Sequence, residues 1–398
     1  MKCKLSDICS FRKGKISVDG LNRSTYISTE NMLPNKCGIT EASSLPTVQL
    51  TQEYKKGDVL VSNIRPYFKK IWKATYDGGC SNDVLVFAAN SNTDKDFLYY
   101  ILANDDFFAY SMATSKGTKM PRGDKTSIMQ YEVPVMDIEL QRRIASILKS
   151  IDEKIELNNA INNNLADQIK TICTAWLSDY APFGGVLPDG WSKTPLSSIA
   201  DFVSGYSYKG AELTESNIAM ATIKNFDRKG GFKLDGYKEI VPSNKLKDTQ
   251  HADLFDTLVA HTDLTQNAEV IGNAESVMSK SGYSDVVFSM DLVKVVPKNH
   301  HISKFLIAAI LQDKKFKAHC LGYVNGTTVL HLSKKALPEY QLYLPDDLSA
   351  LKPLDELVTA LYQQISANIE EIIKLEVLRD TLLPNLMSGE LDVSDIDL

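Results

Sequence analysis

Residues Leu140–Trp176 read LQRRIASILKSIDEKIELNNAINNNLADQIKTICTAW, and apolar side chains recur along them at alternating steps of four and three residues. The average period of about 3.5 residues is typical of a coiled-coil seam rather than of an ordinary surface helix. The stretch therefore predicts one long helix whose apolar stripe needs a partner. The seam positions are Ile144, Leu148, Ile151, Ile155, Asn158, Asn162, Leu165, Ile169, Ile172 and Trp176.

The end of the chain repeats this pattern 210 positions later. A buried asparagine costs stability unless it finds a hydrogen-bond partner, so we interpret Asn158, Asn162 and Asn368 as residues that set the register of the helix seam. One such helix alone is consistent with ordinary core packing, but two matched helices favour packing of each against the other. The matching positions are Leu354, Val358, Leu361, Ile365, Asn368, Ile372, Leu375, Arg379, Leu382 and Leu386.

The two helices alternate with two globular segments, so the chain reads as an approximate duplication. We predict an α+β fold in which two α/β domains are separated by two long helices packed as an antiparallel coiled coil, with a pseudo-two-fold internal duplication. Antiparallel packing would place the domains at opposite ends of the helices, which suits a target of two parts. The predicted segments are a first domain (1–136), the first helix (137–180), a Pro/Gly-rich linker (181–190), a second domain (191–345), and the second helix with a C-terminal tail (346–398).

Short β-branched runs bounded by glycines predict strands at 58–64 and 83–89 of the first domain, and the acidic start of 96–104 predicts a helix. A further strand is expected at 131–135. The second domain follows the same order, with a strand at 256–260 and a helix at 303–311. Gly326-Thr327-Thr328 takes the place of Gly117-Thr118, and a helical run follows from Asp355.

Composition is that of a soluble globular protein, with 398 residues and a net charge of −6. The charge is uneven: residues 1–136 carry 18 Lys/Arg and 14 Asp/Glu, whereas residues 346–398 carry 3 and 12. The six cysteines are scattered without a C-x-x-C pair, which indicates neither a zinc site nor a disulfide framework. No signal sequence or membrane-spanning run is visible, so a reducing cytoplasm is the expected location.

Motifs with a known catalytic mechanism are not found. The chain has no G-x-x-x-x-G-K-[ST] loop, no G-x-S-x-G or H-E-x-x-H, and no Pro-Pro of the kind used by methyltransferases that act on exocyclic amines. Its six histidines show no ligand spacing, so no metal site is expected. A binding protein without an active site of its own is the better interpretation.

Several polar loops carry side chains able to reach phosphates or base edges. Arginines at 65 and 122 suit guanine O6 and N7, lysines position the backbone, and the amides of Gln266 and Asn267 suit adenine. Polar loops usually contact only solvent, so the set of loops is stronger evidence for DNA binding than any single residue in it. The first-domain candidates are Asn63, Arg65, Tyr67, Lys69, Lys70, Lys116, Gly117, Thr118, Lys119, Arg122 and Lys125. The second-domain candidates are Tyr206, Tyr208, Lys209, Lys224, Asn225, His261, Thr262, Thr265, Gln266, Asn267, Gly326, Thr327, Thr328 and His331.

These features together resemble a known family. The segment Leu140–Trp176 is similar to the central conserved region of specificity (S) subunits of type I restriction-modification enzymes. Leu378–Val393 (LRDTLLPNLMSGELDV) resembles their distal conserved region, and Leu187-Pro188-Asp189-Gly190-Trp191 resembles their usual entry into a second recognition domain. The likeness covers the whole layout, whereas the recognition domains resemble the family mainly in arrangement. One departure is that Glu139-Leu140-Gln141 stands where many members have Glu-Gln directly before the helix.

The resemblance implies a non-catalytic subunit that reads double-stranded DNA. Each target-recognition domain would read one half of a bipartite, asymmetric site, while the helices set the spacer and dock two modification subunits. Restriction subunits with translocase and nuclease activity would join through the complex. The chain itself would hold no cofactor; S-adenosylmethionine, ATP and Mg²⁺ would belong to partner subunits. The alternative is a two-headed coiled-coil adaptor with protein partners only, which salt-dependent DNA binding would distinguish.

Overall fold

The computed structural model describes residues 1–228, 230–391 and 393, which form two compact units. Unit 1 comprises Met1–Ile155 and the end of the chain from Leu375, and unit 2 comprises Glu156–Lys374. Part of the predicted C-terminal tail, residues 392 and 394–398, lies outside the described residues. No helix of the described chain is long and apolar enough to cross a membrane.

Unit 1 combines short strands with helices. Its strands are β1 (Lys2–Lys4), β2 (Cys9–Phe11), β3 (Lys15–Ser17), β4 (Tyr26–Ile27), β5 (Leu50–Tyr54), β6 (Val59–Ser62), β7 (Ile71–Lys73), β8 (Gly78–Cys80), β9 (Val84–Ala89) and β10 (Glu132–Pro134). Its helices are α1 (Leu5–Ile8), α2 (Lys95–Ala103), α3 (Asp105–Ala113), α4 (Lys125–Ile128) and the first part of α5 (Ile138–Leu177).

The central sheet of unit 1 has the order β2-β9-β6-β7 with antiparallel neighbours, and Val61 pairs with both Leu85 and Ile71. Every residue of β6 is buried, which is why this run is uniformly apolar up to Ser62. A second sheet has the order β3-β5-β8-β4, and β1 pairs with β10. The helix α2 begins where Asp94 caps it, and the Asp94 backbone N–H donates to the buried Gln141 side chain on α5 at 2.9 Å.

Unit 2 contains a similar set of elements. Its strands are β11 (Trp191–Pro195), β12 (Ala200–Ser204), β13 (Ile218–Ala221), β14 (Lys238–Glu239), β15 (Thr257–Ala260), β16 (Thr262–Asp263), β17 (Ala274–Ser276), β18 (Asp285–Phe288), β19 (Leu292–Pro297), β20 (Val324–Asn325), β21 (Leu330–Leu332) and β22 (Gln341–Pro345). Its helices are the second part of α5, α6 (Lys304–Leu311), α7 (Lys314–Leu321), α8 (Ala336–Glu339) and most of α9 (Lys352–Ser388), whose last part lies in unit 1.

The central sheet of unit 2 repeats the strand order of the central sheet of unit 1, whereas two further sheets of unit 2, β14-β13-β18 and β16-β21-β20, differ from those of unit 1. The central sheet of unit 2 is β12-β19-β15-β17, again antiparallel throughout, and Val259 pairs with both Val293 and Ala274. The strand β11 begins the second domain and pairs with β22, which precedes α9. In the same way, β1 begins the first domain and pairs with β10, which precedes α5. The helix α6 is capped by Ser303, whose backbone N–H donates to Asp355 on α9 at 2.9 Å. The duplication inferred from sequence is therefore a duplication of strand order.

Within unit 1, the two long helices are antiparallel, because residue numbers rise along α5 as they fall along α9. Ile144 and Leu148 share a buried cluster with Leu386, and further along Asp152 accepts a hydrogen bond from Arg379 at 3.0 Å. The other carboxylate oxygen of Asp152 accepts a hydrogen bond from the Tyr100 hydroxyl on α2 at 2.7 Å. This network ties the mixed domain of unit 1 to both helices.

Within unit 2, the helices keep the antiparallel sense through polar contacts. Asn158 donates to Glu371 at 2.7 Å, and Asn368 donates to Asn162 at 2.8 Å. Asn158 and Asn368 are 1% and 6% exposed, so both are seam residues with satisfied amides. The predicted fold class, α+β with two mixed domains and two long helices packed as an antiparallel coiled coil, is confirmed.

The predicted helix starts need small corrections. α5 begins at Ile138, where the Asp137 side chain accepts a hydrogen bond from the Leu140 backbone N–H at 2.8 Å. α9 begins at Lys352 rather than at Asp355, because a 3-10 turn at Leu348–Leu351 runs directly into it. Asp347 caps that turn by accepting a hydrogen bond from a backbone N–H. Asp137 therefore caps α5 three residues before Leu140, whereas Asp347 caps the 3-10 turn that leads into α9.

Candidate nucleic-acid interface

In unit 1, the chain leaving β6 meets the loop that precedes α4. The backbone N–H of Asn63 donates to the Asp83 carbonyl at 2.8 Å, and that of Gly123 donates to the Asn63 carbonyl at 3.2 Å. Residue 122 forms β-bridges with both residue 64 and residue 116. The segments 63–70 and 116–125, predicted separately from sequence, are therefore one surface, which we call edge 1.

Edge 1 is cationic, but several of its cations are paired. Three ion pairs join Lys69 to Asp105 at 2.7 Å, Lys116 to Asp124 at 2.6 Å, and Arg122 to Asp83 at 3.2 Å. The hydrogen bond from Lys116, with further bonds from Ser127, lowers the pKa of Asp124 to about 2. Lys119 and Lys125 are exposed and form no ion pair with any described residue. Each of the three ion pairs contains an exposed side chain, and surface pairs of this kind are weak, so their cations can exchange a carboxylate partner for another anion.

Two predicted residues of edge 1 hold the loop rather than face solvent. The ammonium group of Lys70 donates to the Thr29 carbonyl at 2.6 Å, and burial lowers its pKa. The Asn63 side chain is 9% exposed, and its Oδ1 accepts no hydrogen bond from the described residues. Asn63 is therefore buried, and Lys70 is half-buried with its ammonium group bound to the backbone of a neighbouring turn. Arg65 has a left-handed backbone and a buried Nε without a partner among the described residues, so its side chain is partly enclosed.

Edge 1 also contains residues that sequence reasoning missed. Lys36 shares the Asp105 carboxylate with Lys69, and its backbone N–H donates to the Lys69 carbonyl at 2.9 Å. Phe68 and Met120 are 38% and 48% exposed, beside the predicted Tyr67 at 49%. Lys36 comes from a distant turn with positive φ, which no local pattern places next to edge 1.

The corresponding surface of unit 2, edge 2, comprises residues 261–267 and 325–331. The backbone N–H of His261 donates to the Asp291 carbonyl at 2.8 Å, and that of Leu332 donates to the His261 carbonyl at 2.8 Å. Residue 331 pairs with residue 262 and with residue 325, as residue 122 pairs with 64 and 116 in edge 1. The pairs of equivalent positions are Asn63 and His261, Ile64 and Thr262, Asp83 and Asp291, Lys116 and Asn325, Gly117 and Gly326, and Arg122 and His331.

Three candidates of unit 2 are buried, so their predicted DNA contacts are wrong. Tyr206 is 2% exposed and its hydroxyl donates to Glu212 at 2.8 Å. Asn225 is fully buried, accepting from the Thr222 N–H and donating to the Lys233 carbonyl, each at 2.8 Å. Thr262 is 6% exposed and its hydroxyl donates to Asp291 at 2.9 Å.

The remaining candidates of unit 2 lie at or near the surface. Their side chains are exposed or half-buried, and the burial of His261 lowers its pKa. Gln266 donates to the Thr327 carbonyl, which joins the two loops of edge 2. Leu264 and Met290, at 68% and 56% exposed, were missed. The surface set is Tyr208, Lys209, Lys224, His261, Thr265, Gln266, Asn267, Gly326, Thr327, Thr328 and His331.

Both edges present charged or hydrogen-bonding side chains. Among residues 1–228, 230–391 and 393, no group of three or more His, Cys, Asp or Glu side chains could hold a metal ion. Edge 1 offers cations and exposed aromatic rings, whereas edge 2 offers amides, hydroxyls and imidazoles. Cations favour phosphates and guanine, and neutral amides favour adenine. The two edges therefore share a backbone arrangement and differ in the groups they present.

We expect Gly326→Ala to destabilise unit 2 by about 1–3 kcal/mol. Gly326 has a φ of +110°, and a Cβ there would lie 2.2 Å from the Val329 carbonyl oxygen. Gly210→Ala is the matched control, because a Cβ at Gly210 meets nothing within 4 Å. Thermal unfolding of the two variants measures the difference. Equal melting temperatures would contradict the strain assigned to Gly326.

Comparisons with known proteins agree with this description. The family model of the type I restriction modification DNA specificity domain matches residues 1–167. The HindI specificity subunit of Haemophilus influenzae is 23% identical, over 92% of this chain and 94% of its own. The MjaIX specificity subunit of Methanocaldococcus jannaschii is 22% identical, over 76% of this chain and 70% of its own.

Among solved structures, the type I restriction-modification S subunit of M. genitalium superimposes with a TM-score of 0.55. It is 17% identical, and the match covers 99% of this chain and 96% of that one, so the likeness is one of fold. The alternative of an adaptor with protein partners only is not favoured by these relatives. Specificity subunits are the non-catalytic, DNA-recognising component of their complexes. Over most of its length the chain is therefore similar to type I restriction-modification specificity subunits, and residues 1–167 match the DNA specificity domain of that family.

Proposed function

We propose that this chain selects the DNA sequence acted on by a type I restriction-modification complex, and that each unit reads one half of a bipartite, asymmetric site. The observation that carries the proposal is the equivalence of edges 1 and 2. Both follow the same strand of the central sheet, and both are closed by the same pattern of β-bridges. A repeated scaffold with different side chains is what reading two unlike half-sites requires.

The long helices fit the role of a spacer. α5 has 40 residues, which at about 1.5 Å per residue spans roughly 60 Å. In unit 2 the buried amides of Asn158 and Asn368 hold the register, because a slip would leave them without partners. The distance between the half-sites is then set by the helices rather than by flexible linkers.

The helices also offer surfaces for docking two modification subunits. In unit 2, Leu157 and Ile161 lie one turn apart on α5 and are 55% and 38% exposed, and Leu357 on α9 is 44% exposed. In unit 1, Val377 and Leu378 on α9 are 63% and 46% exposed. Exposed apolar side chains suit protein partners better than phosphates, and α9 is in addition acidic, with 3 Lys/Arg and 6 Asp/Glu. Restriction subunits would join through the modification subunits.

Chemistry would be supplied entirely by those partners. S-adenosylmethionine would be bound by the modification subunits, and ATP and Mg²⁺ by the other subunits of the complex. The low basicity of this chain, whose net charge is −6, is consistent with a duplex held jointly, with partner subunits contributing part of the phosphate contact.

Exchange of residues 1–136 for the first domain of another specificity subunit is expected to change one half of the methylated motif. The other half and the spacer length should stay the same, because unit 2 and its helix contacts are untouched. Sequencing of methylated bases in a host that expresses the complex measures the motif. The matched control exchanges residues 191–345, which should change only the other half. A motif altered in both halves by either exchange would contradict the proposal.

DNA binding by the assembled complex is expected to weaken steeply with salt. Phosphate contacts release counterions, so a complex held through lysines and arginines loses affinity as salt concentration rises. Salt-independent binding, or no binding, would instead support the adaptor with protein partners only.

A further inference from the structure

In edge 1, the backbone of Arg122 is held from both sides. Its N–H donates to the Lys116 carbonyl and its carbonyl accepts from the Lys116 N–H, each at 2.9 Å. A β-bridge to Ile64 holds it on the other side. The side chain itself is 54% exposed. An exposed group on a backbone fixed from both sides can meet a ligand without reordering its loop.

The guanidinium of Arg122 is oriented by a carboxylate. Its Nη2 lies 3.2 Å from Oδ1 and 3.4 Å from Oδ2 of Asp83. Asp83 immediately precedes β9, and its carbonyl accepts the Asn63 N–H, so the carboxylate is anchored to the central sheet. Since Asp83 contacts one guanidinium nitrogen, further N–H donors of Arg122 are left for a ligand.

Unit 2 has a different set of side chains at the equivalent positions. Asp291 accepts a hydrogen bond from the Thr262 hydroxyl at 2.9 Å and one from the Ser289 hydroxyl at 3.4 Å. In unit 1, the residue equivalent to Thr262 is Ile64, which has no hydroxyl to compete for the carboxylate. The equivalent of Arg122 is His331, and no described side chain forms a hydrogen bond with its imidazole. Arg122 and Ile64 therefore occur together in unit 1, whereas the equivalent positions of unit 2 hold His331 and Thr262.

We propose that Arg122, positioned by Asp83, reads a guanine in the half-site of unit 1, and that His331 leaves unit 2 without a guanidinium reader at the equivalent place. The proposal rests on the proposed function. Guanine presents O6 and N7 side by side in the major groove, and a guanidinium donates to both. Arg65 suits this role less, because its Nε is buried. Lysines donate from a single point and are better suited to phosphates.

A purely structural surface ion pair predicts a different outcome. Exposed pairs contribute little to stability, so loss of the Arg122 and Asp83 contact would then change neither folding nor the motif. A reader arginine instead changes the motif at one base and leaves folding as it was. Stability and sequence preference together therefore separate the two roles.

The first test replaces Arg122 by lysine, which keeps the charge and removes the planar fork. In the complete complex, the methylated motif should lose its requirement for guanine at one position of the half specified by residues 1–136. The melting temperature should be unchanged. Arg142→Lys is the matched control, because Arg142 is an exposed arginine that holds Glu139 at 3.5 Å on α5, and its motif should stay the same.

The second test measures binding of the complex to duplexes in which each guanine of that half is replaced in turn by 7-deazaguanine. One replacement should weaken binding by the unaltered complex roughly 10- to 100-fold, and should have little effect on the Arg122→Lys complex. Asp83→Asn should reduce discrimination at the same base, and should add nothing in an Arg122→Lys background. An effect of Asp83→Asn that depends on the presence of Arg122 identifies Asp83 as the residue that positions the Arg122 side chain.

A third test introduces the arginine and the apolar residue at the equivalent positions of unit 2. The double variant Thr262→Ile/His331→Arg should free Asp291 to hold the new arginine and create a guanine requirement in the second half-site. Three results would each overturn the proposal: a first half-site without guanine on either strand, equal binding of every deazaguanine duplex by the unaltered complex, or an unchanged motif in Arg122→Lys. All three leave the domain-exchange result standing, so failure here is distinct from failure of the proposed function.

Discussion

Leu148→Ala is expected to lower the free energy of unfolding of unit 1 by about 3 kcal/mol. Leu148 is fully buried at the seam of α5, in a cluster that also contains Leu98 of α2 and Leu386 of α9. Truncation leaves a cavity where a domain and both helices meet, so the surroundings cannot collapse without moving all three. Chemical denaturation followed by circular dichroism measures the change.

The matched control is Leu157→Ala, which makes the same substitution nine residues later on the same helix. Leu157 is 55% exposed, so its truncation should change the free energy of unfolding by less than about 0.5 kcal/mol. If Leu157 contributes to docking, as proposed, its truncation should weaken assembly with modification subunits while stability is kept. Similar losses of stability in both variants would contradict the assignment of the seam.

Unit 2 is expected to lose about 3 kcal/mol of stability as pH rises from about 4.5 to above 7, because of one buried carboxyl group. Glu275 on β17 is 7% exposed, and its burial raises its pKa from 4.5 to about 7. It accepts hydrogen bonds from the Gly231 N–H at 2.7 Å and from the Gln312 amide at 3.3 Å. The Tyr362 hydroxyl on α9 donates to the same amide at 3.0 Å.

The sign follows from proton uptake. The folded state binds a proton at Glu275 more tightly than the unfolded state does, so the stabilising contribution is complete below about pH 4.5. It is lost as pH rises through about 7, where the buried group becomes charged. Unfolding of unit 2 can be followed by fluorescence of Trp176 and Trp191 in a Trp72→Phe background, because Trp72 lies in unit 1.

Glu275→Gln should remove this dependence on pH, because the amide stays neutral and the side chain of Gln312 can rotate to accept from it. At pH 8 the variant should be more stable than the unaltered protein. Glu215→Gln, at an exposed position of the same unit, is the control and should follow the unaltered curve. A pH dependence that survives Glu275→Gln would show that another group carries it.

The features that sequence analysis predicted correctly depend on local pattern. The apolar pattern of the seam repeats over about five heptads, so one residue that departs from the pattern does not hide its period. The buried strand β9 and the helix α2 were predicted because one is a β-branched run and the other has an acidic residue, Asp96, in its first turn. The place of Gly326 opposite Gly117 followed from the order of elements, and the structure gives both a positive φ in equivalent loops.

The features that were missed depend on contacts between distant segments. The pairing of β1 with β10 joins Lys2–Lys4 to a strand about 130 residues away, and a three-residue run of two lysines around a cysteine carries no signal of it. Tyr206, Asn225 and Thr262 have the composition of surface loops, but each finds a partner that only the folded chain brings near. Lys36 joined edge 1 for the same reason.

Unit 1 is assembled from the two ends of the chain, and this affects its synthesis on the ribosome. Its core includes Ile144 and Leu148 from the first helix and Leu383, Leu386 and Met387 from the last turns of the second. At about 5–20 residues per second, roughly 10 to 45 seconds pass between translation of the first set and of the second. Unit 2, which is continuous in sequence, can fold during that interval. The growing chain therefore carries an uncovered apolar stripe until the second helix has been translated, and termination before that point would release a protein that is prone to aggregate.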